Sequence, residues 1–468
     1  MTTTRCLRIF VVALVIPVFV AAGGSGPTLI DAAKSGDKVA LRALLAKTSS
    51  AVVNTPDGDG STALHWAAYR DDLDASELLI RAGANVNAAN DLGVTPLWTA
   101  CQNGSEAMVA KLLAAGANPN AALLAGETPV MVAARAGHPA VVEQLIAKGA
   151  NLNAHGSRGQ TALMWAVSQK HPDAVKALLA HGADVKAKSD SWSQMMAVPP
   201  HGYLGYNRMI PAGGETALMF AARVGDLQSA TLLVGAGANV NDADAWGVSA
   251  TALAAHSGFT DVVEFLLEKG ADPNVAGPGF TALHEAIMRR DEKMVAALLD
   301  RGADANAPLK TWTPTRRSSH DWNFVPEFVG ATPFWMAARF DEPNVMHLLL
   351  KHGANPLFVH HGDRVVESRN SKDGYETKTD ITTPLMAAVG FGGGTAWVDV
   401  PRAQREAQTL ETVKLAVELG IDVNAASADG RTALDGAQAL KYPSVIKFLE
   451  EKGAKASGKK GPAPREEI

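Results

Sequence analysis

The chain has 468 residues, of which 47% are hydrophobic and 19% charged, with 43 Lys and Arg against 48 Asp and Glu. This apolar fraction excludes a disordered polymer, and the net charge of −5 argues against a dedicated nucleic-acid-binding protein, which carries a basic excess. Cys6 and Cys101 are the only cysteines, which excludes a disulfide framework and a cysteine-based zinc site.

The N-terminal segment has the pattern of a secretory signal. Arg5 and Arg8 precede an apolar run from Ile9 to Ala22, and small residues surround the expected cleavage point after Ala22. We therefore predict a signal peptide over residues 1–22 and a periplasmic or secreted mature protein that is not inserted in the membrane. The alternative is a membrane anchor through an uncleaved signal. Cleavage would leave 41 cations against 48 anions and Cys101 as the only thiol, which we expect to be a buried apolar residue.

A period of 33 residues organises the chain that follows. Four successive units open with a Thr-Ala/Pro-Leu/Val motif and have alanine five positions on. We call the first residue of this motif the anchor. These four threonines, spaced by 33 residues, are Thr62, Thr95, Thr128 and Thr161. The later anchors are Thr216, Ser249, Thr281, Thr332, Thr383 and Thr432, and an earlier unit has Pro27 in the Thr position. This gives about eleven units.

Each recurring residue type has a structural role. Thr caps the start of a helix, and Pro suits the first helical turn because it lacks an N–H. A second helix with paired leucines follows, and runs such as Ala82-Gly83-Ala84-Asn85-Val86-Asn87 end it, because Gly takes the left-handed conformation and Asn stabilises the turn. Each unit is predicted to be a helix, a tight turn, a second helix and an extended loop.

The Thr-Pro-Leu-x-x-Ala and Gly-Ala-Asn/Asp-x-Asn motifs resemble those of the ankyrin repeat family. The resemblance covers about residues 27–454 and implies an all-α solenoid of stacked helix-turn-helix units with β-hairpin finger loops on one side. It also implies binding through the fingers and the exposed face of each first helix. We assign the repeat array to residues 23–456 and expect a disordered tail at 457–468.

Four insertions interrupt the period, near residues 187–213, 307–329, 357–381 and 392–404. The first three follow a helix stop and should enlarge finger loops, whereas the fourth lies between the two helices of its unit. Trp192 in the first insertion and Trp312 and Trp322 in the second are residue types that often dominate protein interfaces. They either contact a partner or cover the side of the array.

The sequence lacks the motifs of common enzyme classes, so we predict a protein without catalytic residues and without a cofactor. His360 and His361 with Asp363 are a weak candidate metal site, because two ligands and a carboxylate on one loop are a poor signal. His65 and His284 are predicted to have structural roles at the starts of their helices.

The positions seven and eight residues past each anchor are predicted to be exposed on the concave face. Five of the eight units from Thr62 to Thr332 carry arginine there and none carries an acid. We predict that this stripe binds a carboxylate-bearing partner, with two aromatic residues adding apolar contacts. The stripe consists of Tyr69, Arg70, Arg135, Arg223, Arg289, Arg339 and Phe340.

The predicted function is a non-catalytic, monomeric, exported scaffold that binds an acidic or carboxylate-bearing protein partner on its concave face and finger loops. The alternative is a metal-dependent or polymer-binding protein that uses the insertion loops.

Overall fold

A computed structural model describes residues 27–196, 205, 207–313, 324–369, 371, 372, 374–393 and 401–459. Over these residues the chain forms successive helix pairs, as the repeat pattern predicts. The predicted signal peptide, Trp322 and most of the predicted C-terminal tail lie outside the described residues.

The first helices of the pairs are α1 (Leu29–Ser35), α4 (Ala63–Tyr69), α6 (Pro96–Asn103), α8 (Pro129–Ala136), α10 (Ala162–Ser168), α12 (Ala217–Val224), α14 (Ala250–Ser257), α16 (Ala282–Met288), α18 (Pro333–Arg339), α20 (Pro384–Ala388) and α22 (Ala433–Leu440). The second helices are α2 (Lys38–Leu45), α5 (Leu73–Arg81), α7 (Glu106–Ala114), α9 (Pro139–Ala147), α11 (Pro172–Ala180), α13 (Leu227–Gly235), α15 (Thr260–Glu268), α17 (Glu292–Asp300), α19 (Pro343–Lys351), α21 (Arg402–Glu418) and α23 (Pro443–Glu451). A short extra helix, α3 (Ser50–Val53), lies between the first two pairs.

The anchor residues cap the first helices as predicted. Thr95 Oγ1 accepts a hydrogen bond from the backbone N–H of Trp98 at 3.2 Å. In two units the histidine three positions past the anchor accepts a hydrogen bond from the backbone N–H of the anchor. His65 is one of these histidines. The Thr62 N–H donates to His65 Nδ1 at 3.0 Å, and His65 Nε2 lies 2.9 Å from the carbonyl oxygen of Val94 in the next finger.

His284 makes the same set of bonds as His65. The Thr281 N–H donates to its Nδ1 at 3.1 Å, and its Nε2 lies 3.1 Å from the Ala307 carbonyl. Burial lowers the pKa of His284 to about 4, so the ring is neutral at physiological pH. The structural role predicted for both histidines is confirmed.

In most units an asparagine in the turn after the second helix links that unit to the next. Asn120 Nδ2 donates to the Gly149 carbonyl at 2.9 Å, and Asn120 Oδ1 accepts from the Asn151 N–H at 2.7 Å. We call this arrangement the asparagine ladder. The same pair of bonds is made by Asn54, Asn87, Asn241, Asn274, Asn306 and Asn424.

The ladder is interrupted where the sequence replaces this asparagine. Lys186 and Leu357 occupy the position, and neither side chain has an amide that can donate and accept at once. The first and third insertions begin at these two points. The ladder continues across the second insertion, because Asn306 Nδ2 reaches the Gly353 carbonyl at 2.9 Å.

Two of the enlarged fingers form antiparallel hairpins. In the first insertion, β1 (Ser191–Met196) pairs with β2 (Arg208–Gly213), with Ser191 opposite Gly213. In the third insertion, β3 (His360–Glu367) pairs with β4 (Tyr375–Thr382), with His360 opposite Thr382.

The apolar core runs along the stack rather than forming one centre. A first cluster of buried residues extends from Leu29 to Ala354 and also includes Ala387 and Leu415. A second cluster runs from Leu385 to Ala454 and fills the two C-terminal units. We call residues 385–454 the C-terminal block.

If the asparagine ladder stabilises the array, replacing one of its members should lower the free energy of unfolding. We expect Asn120→Ala to cost about 1 kcal/mol, because it removes two inter-unit hydrogen bonds at a partly solvated site. Lys148→Ala, at an exposed position of the turn that Asn120 bonds to, should change the free energy of unfolding by less than about 0.5 kcal/mol. Denaturant titrations of both variants measure this, and equal effects would contradict a stabilising ladder.

Candidate partner-binding surface

Successive first helices pack against one another along the array. We call the surface formed by the positions seven and eight residues past each anchor the inner face. The arginines on it fall into two groups that differ in their hydrogen-bond partners.

Two of the arginines seven positions past the anchor, Arg135 and Arg223, pair with a glutamate of their own unit. Arg135 Nη1 lies 2.6 Å from Glu127 Oε1, and Arg223 Nη1 donates to Glu215 Oε2 at 2.9 Å. Burial raises the pKa of the Glu127 carboxyl, and the charge of Arg135 opposes this rise.

An aromatic ring lies beside each of these guanidinium groups. The guanidinium carbon of Arg135 is 5.2 Å from the ring centroid of Trp165, and that of Arg223 is 5.8 Å from the ring of Phe220. A ring face at this distance attracts a cation and restricts its rotamers. The glutamate and the ring therefore hold each guanidinium in place, and a guanidinium has five N–H donors, so some remain for a partner.

The arginines eight positions past the anchor bond instead to the preceding unit. Arg70 Nη1 donates to the Lys34 carbonyl at 3.2 Å, and Arg289 Nη1 donates to the His256 carbonyl at 2.8 Å. Both acceptors lie near the C-terminal end of a first helix, where backbone carbonyls lack helical partners and attract cations. These two arginines join neighbouring first helices.

The expectation that the last two stripe residues are exposed is wrong. Arg339 is 8% exposed and Phe340 is 5% exposed. Arg339 Nε donates to the Gly393 carbonyl at 3.2 Å, and the ring of Phe340 packs edge-on against Phe328 at 5.8 Å. The physical reason is that the second and fourth insertions fold back over this unit. Burial lowers the pKa of Arg339 to about 10.

The aromatic residues of the enlarged fingers have different environments. Trp192 is 39% exposed, and the guanidinium of Arg158 lies 5.0 Å from its ring. Trp312 is 8% exposed, which agrees with the alternative that it covers the side of the array. The guanidinium of Arg208 covers its ring at 4.1 Å, which joins the first insertion to the second. Tyr69 is 64% exposed and packs edge-on against Trp66.

The three residues of the weak metal candidate do not meet. His360 is fully buried, with Nε2 3.1 Å from the Val329 carbonyl and its ring against Trp335, whereas His361 is exposed on the opposite face of β3. Asp363 accepts a hydrogen bond from Thr379 at 2.6 Å. Within the described ranges, no three or more His, Cys, Asp and Glu residues are close enough to hold a metal ion.

Cys101 is fully buried, as predicted. Burial raises the pKa of its thiol above the ordinary value, so the thiolate is disfavoured.

Sequence reasoning missed the glutamates that pair with the inner-face arginines. Glu127 and Glu215 directly precede their anchors, and no other unit has Glu at this position. The same two units carry arginine seven positions past the anchor. This Glu-to-Arg spacing of eight residues is a signal in the sequence that predicts the ion pairs.

A half-buried aspartate at the junction with the C-terminal block was also missed. Asp341 Oδ2 accepts from Thr409 Oγ1 of α21 at 2.7 Å, and the Asp341 Oδ1 atom is buried without a hydrogen-bond partner. Burial raises the pKa of Asp341 to about 7, although Arg339 and Arg290 lower it. The contact joins residues 68 positions apart, so no local motif predicts it.

Comparison with known families agrees with this geometry. Models of ankyrin repeats match residues 29–123, 111–189 and 218–309, and further ankyrin models match 163–234 and 329–361. The chain belongs to the ankyrin repeat family. Its all-α solenoid fold, predicted from the repeat motifs, is confirmed, and ankyrin repeats are in general non-catalytic modules for protein–protein interaction.

Similar proteins share only part of their length with this ankyrin repeat chain. The mitochondrial disaggregases of Bos taurus and Homo sapiens are 31% and 30% identical over 166 and 167 residues, which are 36% and 31% of this chain and 22% and 23% of those proteins. An ankyrin repeat-containing protein of Treponema pallidum (strain Nichols) is 40% identical over 95 residues, 20% of this chain and 32% of that protein. The chain thus spans less than a third of the length of each of these relatives.

Across the described part of the chain, no helix has both the length and the apolar character needed to cross a membrane.

The raised pKa of Asp341 predicts a specific pH dependence of stability. The folded carboxyl binds its proton more tightly than the unfolded one, whose pKa is near 3.8, so protonation favours folding. The contribution is largest below about pH 4 and is lost as the pH rises to about 7. Asp341→Asn, neutral at every pH, should therefore lose less stability than the wild type between pH 5 and pH 8.

Thermal melts at the two pH values measure this difference. Asp173→Asn, at an exposed position in the first turn of α11, should leave the pH dependence of the melt close to that of the wild type. If Asp341→Asn and the wild type lose stability equally between the two pH values, Asp341 does not titrate in this range.

Proposed function

We propose that this ankyrin repeat chain is an exported, non-catalytic scaffold that binds a carboxylate-bearing protein partner on its inner face. The observation that carries the proposal is the pair of positioned guanidinium groups, Arg135 and Arg223. Each lies between a glutamate and an aromatic ring on the face that ankyrin repeats use for binding.

The chemistry of these groups favours carboxylates. A guanidinium forms two parallel hydrogen bonds with a carboxylate, and a guanidinium that is already held in place loses little side-chain entropy on binding. The exposed ring of Tyr69 on the same face adds apolar area at low entropic cost, since it is fixed against Trp66. Arg70 and Arg289 contribute mainly by joining first helices, because their described bonds go to backbone carbonyls of the preceding unit.

Export is supported by the apolar N-terminal segment and the small residues after it. On this proposal residues 1–22 direct the chain to the periplasm or out of the cell, where it acts as a monomer without a cofactor. The alternative of a metal-dependent protein loses its geometric basis with the separation of His360 from His361. A polymer-binding role would use Trp192, the described finger-loop tryptophan that keeps more than a third of its surface exposed.

Two double variants test the role of the positioned arginines. We expect Arg135→Gln with Arg223→Gln to weaken partner binding at least about a hundredfold, which corresponds to about 2.7 kcal/mol. The matched control, Arg70→Gln with Arg289→Gln, removes the same charge from the same face and should weaken binding much less. Affinity capture from extracytoplasmic extract with the full chain as bait identifies the partner, and its affinity is then measured for each variant.

Salt dependence gives a second readout of the same surface. Binding by the wild type should weaken between 50 mM and 500 mM salt, and the Arg135 and Arg223 double variant should lose most of this dependence. Equal binding by both double variants, or an affinity indifferent to salt, would contradict a carboxylate-binding inner face.

A further inference from the structure

The first insertion presents a strand edge without a neighbour in the described structure. β1 pairs with β2 in a two-stranded sheet, and the described residues provide no third strand. Residues 191–195 of β1 are all exposed.

The hydrogen bonds at the base of the hairpin define the direction of the β1 amides. The Ser189 N–H donates across the hairpin to the Glu215 carbonyl at 3.0 Å, whereas the Asp190 N–H donates outward to the Arg158 carbonyl at 2.8 Å. The Gly213 carbonyl points outward to the Ala245 N–H, so its opposed partner Ser191 is not hydrogen-bonded to it across the hairpin. Backbone groups alternate in an antiparallel ladder, so the N–H groups of Ser193 and Met195 also point outward. The turn of the neighbouring finger, at Ser157–Gly159, bonds to the base of β1, and the described structure places no backbone acceptor beside these two amides.

The other edge of the hairpin is covered. The Gly213 carbonyl accepts from the Ala245 N–H of the next finger at 2.9 Å, and Pro211 has no N–H to donate. Arg208 donates to Thr311 Oγ1 and, at 3.1 Å, to the Trp312 carbonyl, while its guanidinium covers the Trp312 ring. These contacts fasten β2 to the second insertion and leave β1 as the open side.

The composition of β1 does not protect it against pairing. Proteins usually guard exposed strand edges with charged residues or proline. The other hairpin of this chain follows that rule, since β4 carries Glu376, Lys378 and Asp380. The sequence of β1, Ser-Trp-Ser-Gln-Met-Met, contains neither a charge nor a proline.

We propose that β1 binds an extended segment of the partner protein as a third strand of this sheet. The proposal rests on the proposed function, in that it adds a mode of binding for a partner held on the inner face. Met195 and Met209 lie opposite each other across the hairpin and are 60% and 52% exposed. The bound segment therefore has uncharged, apolar side chains on the face beside these methionines.

A partner protein fits this edge better than a second copy of the chain. A strand of six residues buries much less than the roughly 1,200 Å² of a stable interface, so strand addition must accompany another contact. The inner face of the adjoining units, with Arg135 and Arg223, supplies that contact for a partner.

A synthetic strand tests the edge without the natural partner. The probe is a capped eight-residue peptide of alternating Thr and Val, N-methylated on alternate residues so that one edge keeps its N–H groups. Added at millimolar concentration to the full chain, it should slow amide exchange of Ser193 and Met195 at least about tenfold. A peptide N-methylated on every residue should have no effect, because it cannot form the ladder.

Two variants of one residue separate backbone pairing from side-chain contact. Ser193→Pro removes the outward N–H and should weaken probe binding at least about tenfold, whereas Ser193→Ala keeps this N–H and should bind the probe like the wild type. Absence of slowed exchange, or equal probe binding by both variants, would overturn the proposal. Concentration-dependent dimers that Ser193→Pro abolishes would overturn the choice of occupant in favour of a second copy.

This outcome is independent of the proposed function. Loss of partner capture on changing Arg135 and Arg223 tests the inner face, and the peptide experiment involves neither residue.

Discussion

A single helix pair of this chain cannot bury its own apolar residues, so every unit depends on contact with its neighbours. Two kinds of contact meet this need in the structure. Apolar side chains form a core that runs along the stack, and the asparagine ladder joins the turns of successive units. The ladder fixes the spacing between units, which in turn brings the same helix positions of each unit to one inner face. The arrangement of Arg135 and Arg223 on that face therefore depends on the stacking.

The insertions change what this stack presents to a partner. The first insertion reaches across the fingers to the second through Arg208 and Trp312, residues more than one hundred positions apart in sequence. The second and fourth insertions cover Arg339 and Phe340 and end the open part of the inner face. The part of the inner face that carries Arg135 and Arg223 lies in earlier units. The base of the first hairpin joins it at Glu215, which pairs with Arg223 and accepts from the Ser189 N–H. On our proposal, a partner that binds these arginines adds a strand at β1.

The sequence predicts the interactions within a unit or between neighbouring units, and it does not predict those between distant segments. Thr95, His65 and Asn120 act within one unit or on the next, so a fixed period predicts their roles. The predicted exposure of Arg339 was wrong, because contacts with inserted segments override the repeat position, and such long-range contacts leave no periodic signal. For the same reason the sequence left open whether Trp312 covers the array or contacts a partner. The pairs of Glu127 with Arg135 and Glu215 with Arg223 are an intermediate case. Their constant spacing is present in the sequence, but the glutamates lie outside the motif that recurs in every unit.

Native-state amide exchange tests most directly whether core packing between neighbouring units determines which parts of the array unfold together. The ladder is interrupted at both Lys186 and Leu357, but the core divides only near the second of these, where the C-terminal block begins. If core packing dominates, residues 385–454 should exchange as one unit at lower denaturant concentration, and residues 29–354 should exchange together with no boundary at Lys186. Exchange of the whole array as a single unit, or a boundary at Lys186 instead, would contradict this account.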